Sequence, residues 1–174
     1  HKKGDHVAAV DTSGLLAPAL QGHDMGLVSE AGMPAVADPG SSLVRAAHDA
    51  GIQVVPLVGP CSLLLALAAS GLNGQQFAFI GYLPQDAALR LQRIQALEKH
   101  AMKTGETQIF IETPYRNEAL LTALLSGLQS NTRLCLCSNL SLADTHIQSL
   151  RVADWKKKGL MPDKHSPVVF AFGP

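Results

Sequence analysis

Between Gly26 and Gly40 the chain reads G-L-V-S-E-A-G-M-P-A-V-A-D-P-G, and between Leu57 and Leu63 it reads L-V-G-P-C-S-L. In both places a short apolar run stops abruptly at Gly and Pro, and a helical pattern follows. Two strand–loop–helix units in succession are the signature of an α/β protein with a parallel sheet and crossover helices. Such folds bind ligands in a crevice outside the carboxyl ends of their strands. The first unit predicts a strand at 26–29, then a helix opened by Ser41 or Ser42 as N-cap and closed by Gly51. The second predicts a strand over 52–58, with Pro56 marking an edge or a bulge. A helix apolar on all sides, and therefore buried, follows to about Ser70.

Upstream, Ser13 to Leu20 reads as a short helix broken by Pro18. Downstream, G-L-N-G-Q-Q at 71–76 is a polar, glycine-rich connection, and a domain boundary is expected there, between 1–73 and 74–174. The second region predicts strands at 77–81, 107–112, 133–138, 146–150 and 168–172. Helices are expected over 86–102, 117–128 and 152–158. Several of these strands follow one another through short connections, so a mixed sheet is expected in the second domain.

The composition narrows the function. Apolar residues make up 47% and charged residues 16%, against roughly 25% charged in an average chain, so a sizeable core is expected. No apolar run approaches the length needed to span a bilayer. The three cysteines form no even disulfide framework, which points to a reducing compartment and hence the cytoplasm. Cys135 and Cys137 alternate on a strand and read as buried thiols rather than a metal pair, and no Cys/His cluster has zinc spacing. The net charge is zero, so no strong nonspecific field for nucleic acid is expected. The cluster Arg151, Lys156, Lys157 and Lys158 reads either as a solvated helix end or as a phosphate contact.

The loops carry the chemistry. Gly32 and Gly40 allow positive φ and close backbone approach, while Pro34 and Pro39 stiffen the turn. The segment Gly59-Pro60-Cys61-Ser62 presents backbone N–H groups at a helix start. These features suit a ligand crevice, and they equally suit turns that only reverse the chain. There is no G-x-G-x-x-G with a following acid, no Walker A motif and no G-x-S-x-G elbow. Glu112-Thr113-Pro114-Tyr115-Arg116 ends a buried strand. Glu112 is either a functional carboxylate or the partner of Arg116 in an ion pair capping the next helix.

Four ordered pieces now resemble one family. They are V-S-E-A-G-M-P-A-V-A-D-P-G at 28–40, G-P-C-S at 59–62, G-Y-L-P at 81–84 and F-I-E-T-P-Y-R-N at 110–117. The resemblance is to the tetrapyrrole-methylase-like (class III) S-adenosylmethionine methyltransferases, within them to the branch that methylates small-subunit ribosomal RNA at a ribose 2′-hydroxyl. It covers nearly all of residues 26–174. It implies two α/β domains, a parallel sheet in the first (incomplete) and a mixed sheet in the second, with S-adenosylmethionine in the cleft between them. It implies cofactor contacts from Gly32, Met33, Pro34, Ala35 and Val36, from Cys61 and Ser62, from Glu112 and Thr113, and from Asn139 and Leu140. A homodimer, a ribosomal RNA acceptor, no metal and no membrane are expected with it. Glu30 and Glu112 are the candidates for a catalytic base. The departures bear on the acceptor. Nothing in residues 1–25 matches the family's opening strand and G-T-P-I-G-N-like loop, so a fragment, or loss of that loop, is expected. Residues 137–141 read C-S-N-L-S where a Glu and a Lys are usual, and Tyr115 stands where His is usual. A tetrapyrrole or other small-molecule acceptor, or a non-catalytic module on the same fold, are the alternatives these departures leave.

Overall fold

The computed structural model describes residues 12–159, 161, 162 and 164–174. Residues 1–11, including the basic start His1-Lys2-Lys3, lie outside the described residues. The chain divides into two compact units, His1–Cys61 and Ser62–Pro174.

The first unit holds α1 (Thr12–Leu20) and α2 (Ser41–Asp49), which pack on each other and bury Leu16 and Ala47. Helix α1 runs through Pro18 instead of breaking there. The helix ends two residues later, so the missing N–H and the ring clash disturb one short turn only. Helix α2 is not capped by a serine. Gly40 is its N-cap, with φ of 133° and no side-chain cap bond. Only glycine serves at this point, because a Cβ there would lie 2.9 Å from Leu27 Cδ2 as well as needing that φ.

The strands expected at 26–29 and 52–58 do not form in the described residues. Both segments are irregular, with Val28 86% and Val58 105% exposed. A strand exists only as a partner in a ladder, and neither segment has a hydrogen-bonded neighbour strand among the described residues. Pro56 removes one donor from the second segment as well. The parallel sheet expected in the first domain is therefore not present among these residues.

The second unit follows its sequence closely. Helix α3 (Ser62–Ser70), strand β1 (Phe77–Gly81), helix α4 (Ala87–Thr104), strand β2 (Thr107–Glu112), a 3-10 turn (Pro114–Arg116), helix α5 (Asn117–Gly127), strands β3 (Arg133–Ser138) and β4 (His146–Arg151), helix α6 (Val152–Lys158) and strand β5 (Val168–Gly173) run in that order. The five strands form one sheet, β1-β2-β5-β3-β4. Strands β1 and β2 are parallel, and every other pair is antiparallel, so the mixed sheet is as predicted. Leu134 and Leu136 of β3 join Phe110, Phe170 and Phe172 in a core with Ile94 and Leu97 of α4, Leu120, Leu121 and Leu124 of α5, and Val152 and Trp155 of α6. Gly127 lets α5 approach α4, since a Cβ would fall 2.8 Å from Leu91 Cδ1. Glu98 of α4, buried, accepts from Gln129 N (2.8 Å) and from Thr132 Oγ1, which fixes the turn into β3.

The opposite face of the sheet takes α3, which packs against β5, β3 and β4. Cys135 and Cys137, both buried, lie on this face with their Sγ atoms 3.6 Å apart. The hydrogen bond that the Cys135 thiol shares with Cys137, together with burial, pushes the Cys135 thiol well above its ordinary range. Sequence spacing placed α3 in the first domain and expected it buried all round. It packs instead on the second unit's sheet, and only one stripe is covered. Leu63, Ala66 and Leu67 are buried, while Leu64 and Leu65 remain exposed, because a helix on a single sheet can bury one face only.

Candidate functional site

Within the first unit, the two loops that dominate the sequence come together. A Cβ on Gly32 would sit 3.9 Å from Pro60 O. In the first of them the backbone is unusual: Gly32, Ala35, Ala37 and Gly40 all have positive φ, at 80°, 63°, 54° and 133°. Two alanines in the left-handed region store strain of a kind that clusters at ligand sites. The loop is held by Ala35 N donating to Pro39 O (3.2 Å) and by Ala31 N donating to Ser29 Oγ (3.3 Å). Met33, Pro34 and Ala35 are half-buried, Val36 and Glu30 are exposed, and Cys61 is buried.

Within the second unit, the site residues collect along one edge of the sheet. Glu112 ends β2 opposite Val168 of β5, and Val168 in turn lies opposite Ser138 of β3. Ser138 pairs with His146 at the start of β4. The carboxyl ends of the parallel pair β1 and β2 thus share an edge with Ser138, His146 and the loop after β3, which is where α/β sheets place ligands. The Glu112 Oε1 accepts from Thr113 N (2.7 Å) and Thr113 Oγ1 (3.2 Å). Glu112 makes no ion pair with Arg116. That guanidinium lies 5.1 Å from the Tyr115 ring centroid and its Nη2 donates to Tyr115 Oη at 2.8 Å. The bond holds the Tyr115 phenol below its ordinary value of 10.0.

After β3 the chain is strained again, with φ of 51° at Asn139 and 71° at Ser141. Asn139 Nδ2 donates to Asp144 Oδ2 (2.7 Å), and Thr145 Oγ1 donates to Asn139 O (2.8 Å). These bonds close a tight loop over a cavity of about 320 Å³ lined by Leu136, Ser138, Asn139, Asp144, His146 and Trp155, among others. Leu140 lies half-buried beside Asn139, and Ser62 is exposed at the start of α3. The Trp155 indole is fixed by donating to Leu134 O (2.8 Å). Nearby, Asn117 Nδ2 donates to Ser166 O (3.0 Å), while its buried Oδ1 has no partner.

Of the residues named from the sequence, Asn139 lines this cavity, together with Asp144, His146 and Trp155, which the sequence did not single out, while Glu112 and Thr113 lie at the same end of the sheet. Asp144 follows a polar turn without a motif, and Trp155 belongs to a helix 16 residues beyond Asn139, so only the fold brings them together. The basic cluster is divided. Arg151 pairs with Arg133 at the far end of the β3–β4 ladder from Ser138 and His146, and Lys157 is bound to Asp154 at 3.3 Å. Among the described residues no helix is long and apolar enough to cross a membrane, and no group of His, Cys, Asp and Glu is placed to hold a metal.

In the second unit, a strained loop after β3 closes a cavity of about 320 Å³ at the carboxyl ends of the strands, which is the architecture of a ligand-holding α/β fold. The sequence matches the family of tetrapyrrole (corrin/porphyrin) methylases over residues 3–155, and the chain belongs to that family. It is 40% identical over 137 residues to the ribosomal RNA small subunit methyltransferase I of Pseudomonas aeruginosa, covering 77% of this chain and 47% of that protein. It is 35% identical over 150 residues to the enzyme of the same name from Vibrio cholerae, covering 86% and 51%. The chain thus spans about half the length of the curated relatives it matches. Among solved structures it is similar in fold to the methyltransferase CobJ, with a TM-score of 0.60 at 19% identity over 93% of this chain and 69% of that one. It is also similar to a uroporphyrin-III C-methyltransferase from Thermus thermophilus complexed with S-adenosylhomocysteine, with a TM-score of 0.52 at 19% identity over 91% and 70%.

Proposed function

We propose that this chain is part of an S-adenosylmethionine-dependent methyltransferase that acts on a ribose 2′-hydroxyl of ribosomal RNA in the cytoplasm, as a homodimer. The observation that carries the cofactor is the cavity at the edge of the second unit's sheet. Leu136 and Trp155 offer apolar surface for a flat base, and Asp144 with Asn139 offers a carboxylate–amide rim suited to ribose hydroxyls. The family resemblance supports further cofactor contacts, each within its own unit: Gly32, Met33, Pro34, Ala35, Val36 and Cys61 in the first, and Ser62, Glu112, Thr113 and Leu140 in the second. The names and identities of the curated relatives support ribosomal RNA over a tetrapyrrole as acceptor.

S-adenosylmethionine supplies an electrophilic sulfonium methyl, so the protein's task is orientation. Glu112 fixes Thr113 at the strand end. An acceptor hydroxyl gives up a proton during transfer, and Glu30 and Glu112 are the carboxylates proposed to take it. Calorimetry with S-adenosylhomocysteine tests the cofactor: binding is expected, and Asp144→Ala should weaken it about tenfold, roughly 1.4 kcal/mol. Absence of binding by the full-length protein would sink the reading. Labelled cofactor offered to small ribosomal subunits and, separately, to uroporphyrinogen tests the acceptor, and label entering only the tetrapyrrole would exclude RNA.

A further inference from the structure

Only two tyrosines occur in the chain, and both stand at the same end of the sheet. Tyr82 directly follows Gly81 at the end of β1, and Tyr115 lies in the turn after β2. Because β1 and β2 are parallel neighbours, both loops leave the same edge, the one that carries Glu112. The two rings are 61% and 70% exposed, whereas Phe110, Phe170 and Phe172 of the same unit are fully buried. Neither tyrosine contributes to the core cluster.

The loops that present them are nevertheless built rigidly. Leu83, next to Tyr82, is buried in the core and is followed by Pro84. Tyr115 follows Pro114 in a turn closed by Arg116 N donating to Thr113 O (2.9 Å), and Thr113 is itself held by Glu112. Arg116 lies against the Tyr115 ring and bonds its hydroxyl, which adds a cation beside an aromatic face. Exposed aromatic rings on fixed loops, with a guanidinium alongside, are how proteins hold unpaired nucleobases: every base has a π-face, and stacking needs no base-specific hydrogen bonds.

We propose that Tyr82, Tyr115 and Arg116 form a stacking platform for unpaired nucleobases of a single-stranded RNA segment. The proposal rests on the RNA methyltransferase reading and specifies its substrate class: the acceptor nucleotide is delivered from an unpaired stretch, not from within a duplex. Arg116 contributes its charge to the adjacent phosphate, and the two rings hold flanking bases.

The test measures fluorescence anisotropy of a ten-nucleotide single-stranded RNA, and of a ribose–phosphate strand of equal length without bases, on the full-length protein at fixed salt. Tyr82→Leu and Tyr115→Leu should each weaken binding of the base-bearing strand about tenfold, and Tyr→Phe at either position should retain it. The baseless strand should bind the wild type weakly and should not distinguish the variants. Leucine variants that bind RNA as tightly as wild type would overturn the platform, as would equal wild-type affinity for the two strands. Tyrosine-dependent binding of a porphyrin without RNA binding would also overturn it. Calorimetry with S-adenosylhomocysteine on the same variants keeps the two readings apart: unchanged cofactor affinity beside lost RNA binding supports the platform, and unchanged RNA affinity removes the platform while the cofactor site stands.

Discussion

The two units of this chain have similar sequence grammar and very different structures. Both contain apolar runs of strand length that end in glycine or proline. In Ser62–Pro174 those runs became a five-stranded sheet, and Phe110, Phe170 and Phe172 lie at 0% exposure in its core. In His1–Cys61 the corresponding runs at 26–29 and 52–58 have no ladder, and Leu57 is 80% exposed. Propensity is not the whole difference, since V-V-P-L-V is at least as apolar and β-branched as R-L-C-L-C apart from Pro56. The rest lies in the supply of neighbours: β5 lies between β2 and β3 and offers a ladder to each, and no described residue does the same in the first unit.

The largest test of this contrast is amide hydrogen exchange. Amides of β2, β3 and β5 should exchange at least about a thousandfold more slowly than those of residues 23–29 and 52–58, because the former open only by global unfolding. Equal protection would mean that the first unit's segments are paired after all. Next in size is truncation in the core. Phe170→Ala, which removes a ring stacked on Phe110 at 5.8 Å, should cost about 3–5 kcal/mol in urea unfolding. Leu57→Ala should change stability by less than about 0.5 kcal/mol, and a cost comparable to that at Phe170 would break the comparison.

A smaller loss is expected at Glu98→Ala. It strands the buried Thr132 hydroxyl and the Gln129 amide, at about 1–3 kcal/mol, and the same denaturant curves measure it. The smallest effect concerns Tyr115. Its phenol should ionise below 10.0, because Arg116 bonds the oxygen and its charge favours phenolate. Ultraviolet titration of a Tyr82→Phe background should show this, and Arg116→Met should return the midpoint upward. An unchanged midpoint would detach Arg116 from the ring.

Much of the second unit was legible in the sequence because its signals are local. Asp86 caps α4 by accepting from Leu89 N (2.9 Å). Gly105 ends that helix in the left-handed region, with φ of 77°. Short apolar runs bounded by turn residues marked β2, β3 and β5 to within a residue. The candidate site was half legible for the same reason. Glu112-Thr113 and the Gly32–Gly40 loop are contiguous motifs, and the structure gave the latter four positive φ values that glycine and proline only hinted at. Asp144, His146 and Trp155 were not legible, because their shared cavity depends on the β3–β4 register and the return of α6 across the core.

By itself, then, the sequence determined the order of helices and strands after Ser62, the family, and the loops that carry the proposed cofactor chemistry, since these depend on contiguous residues and backbone preferences. Only the tertiary structure decided which apolar runs became strands, that α3 covers the second unit's sheet, and that both tyrosines stand at one edge of it. Those outcomes depend on which neighbour each segment meets, and pairing between distant segments is written in no single stretch of the chain.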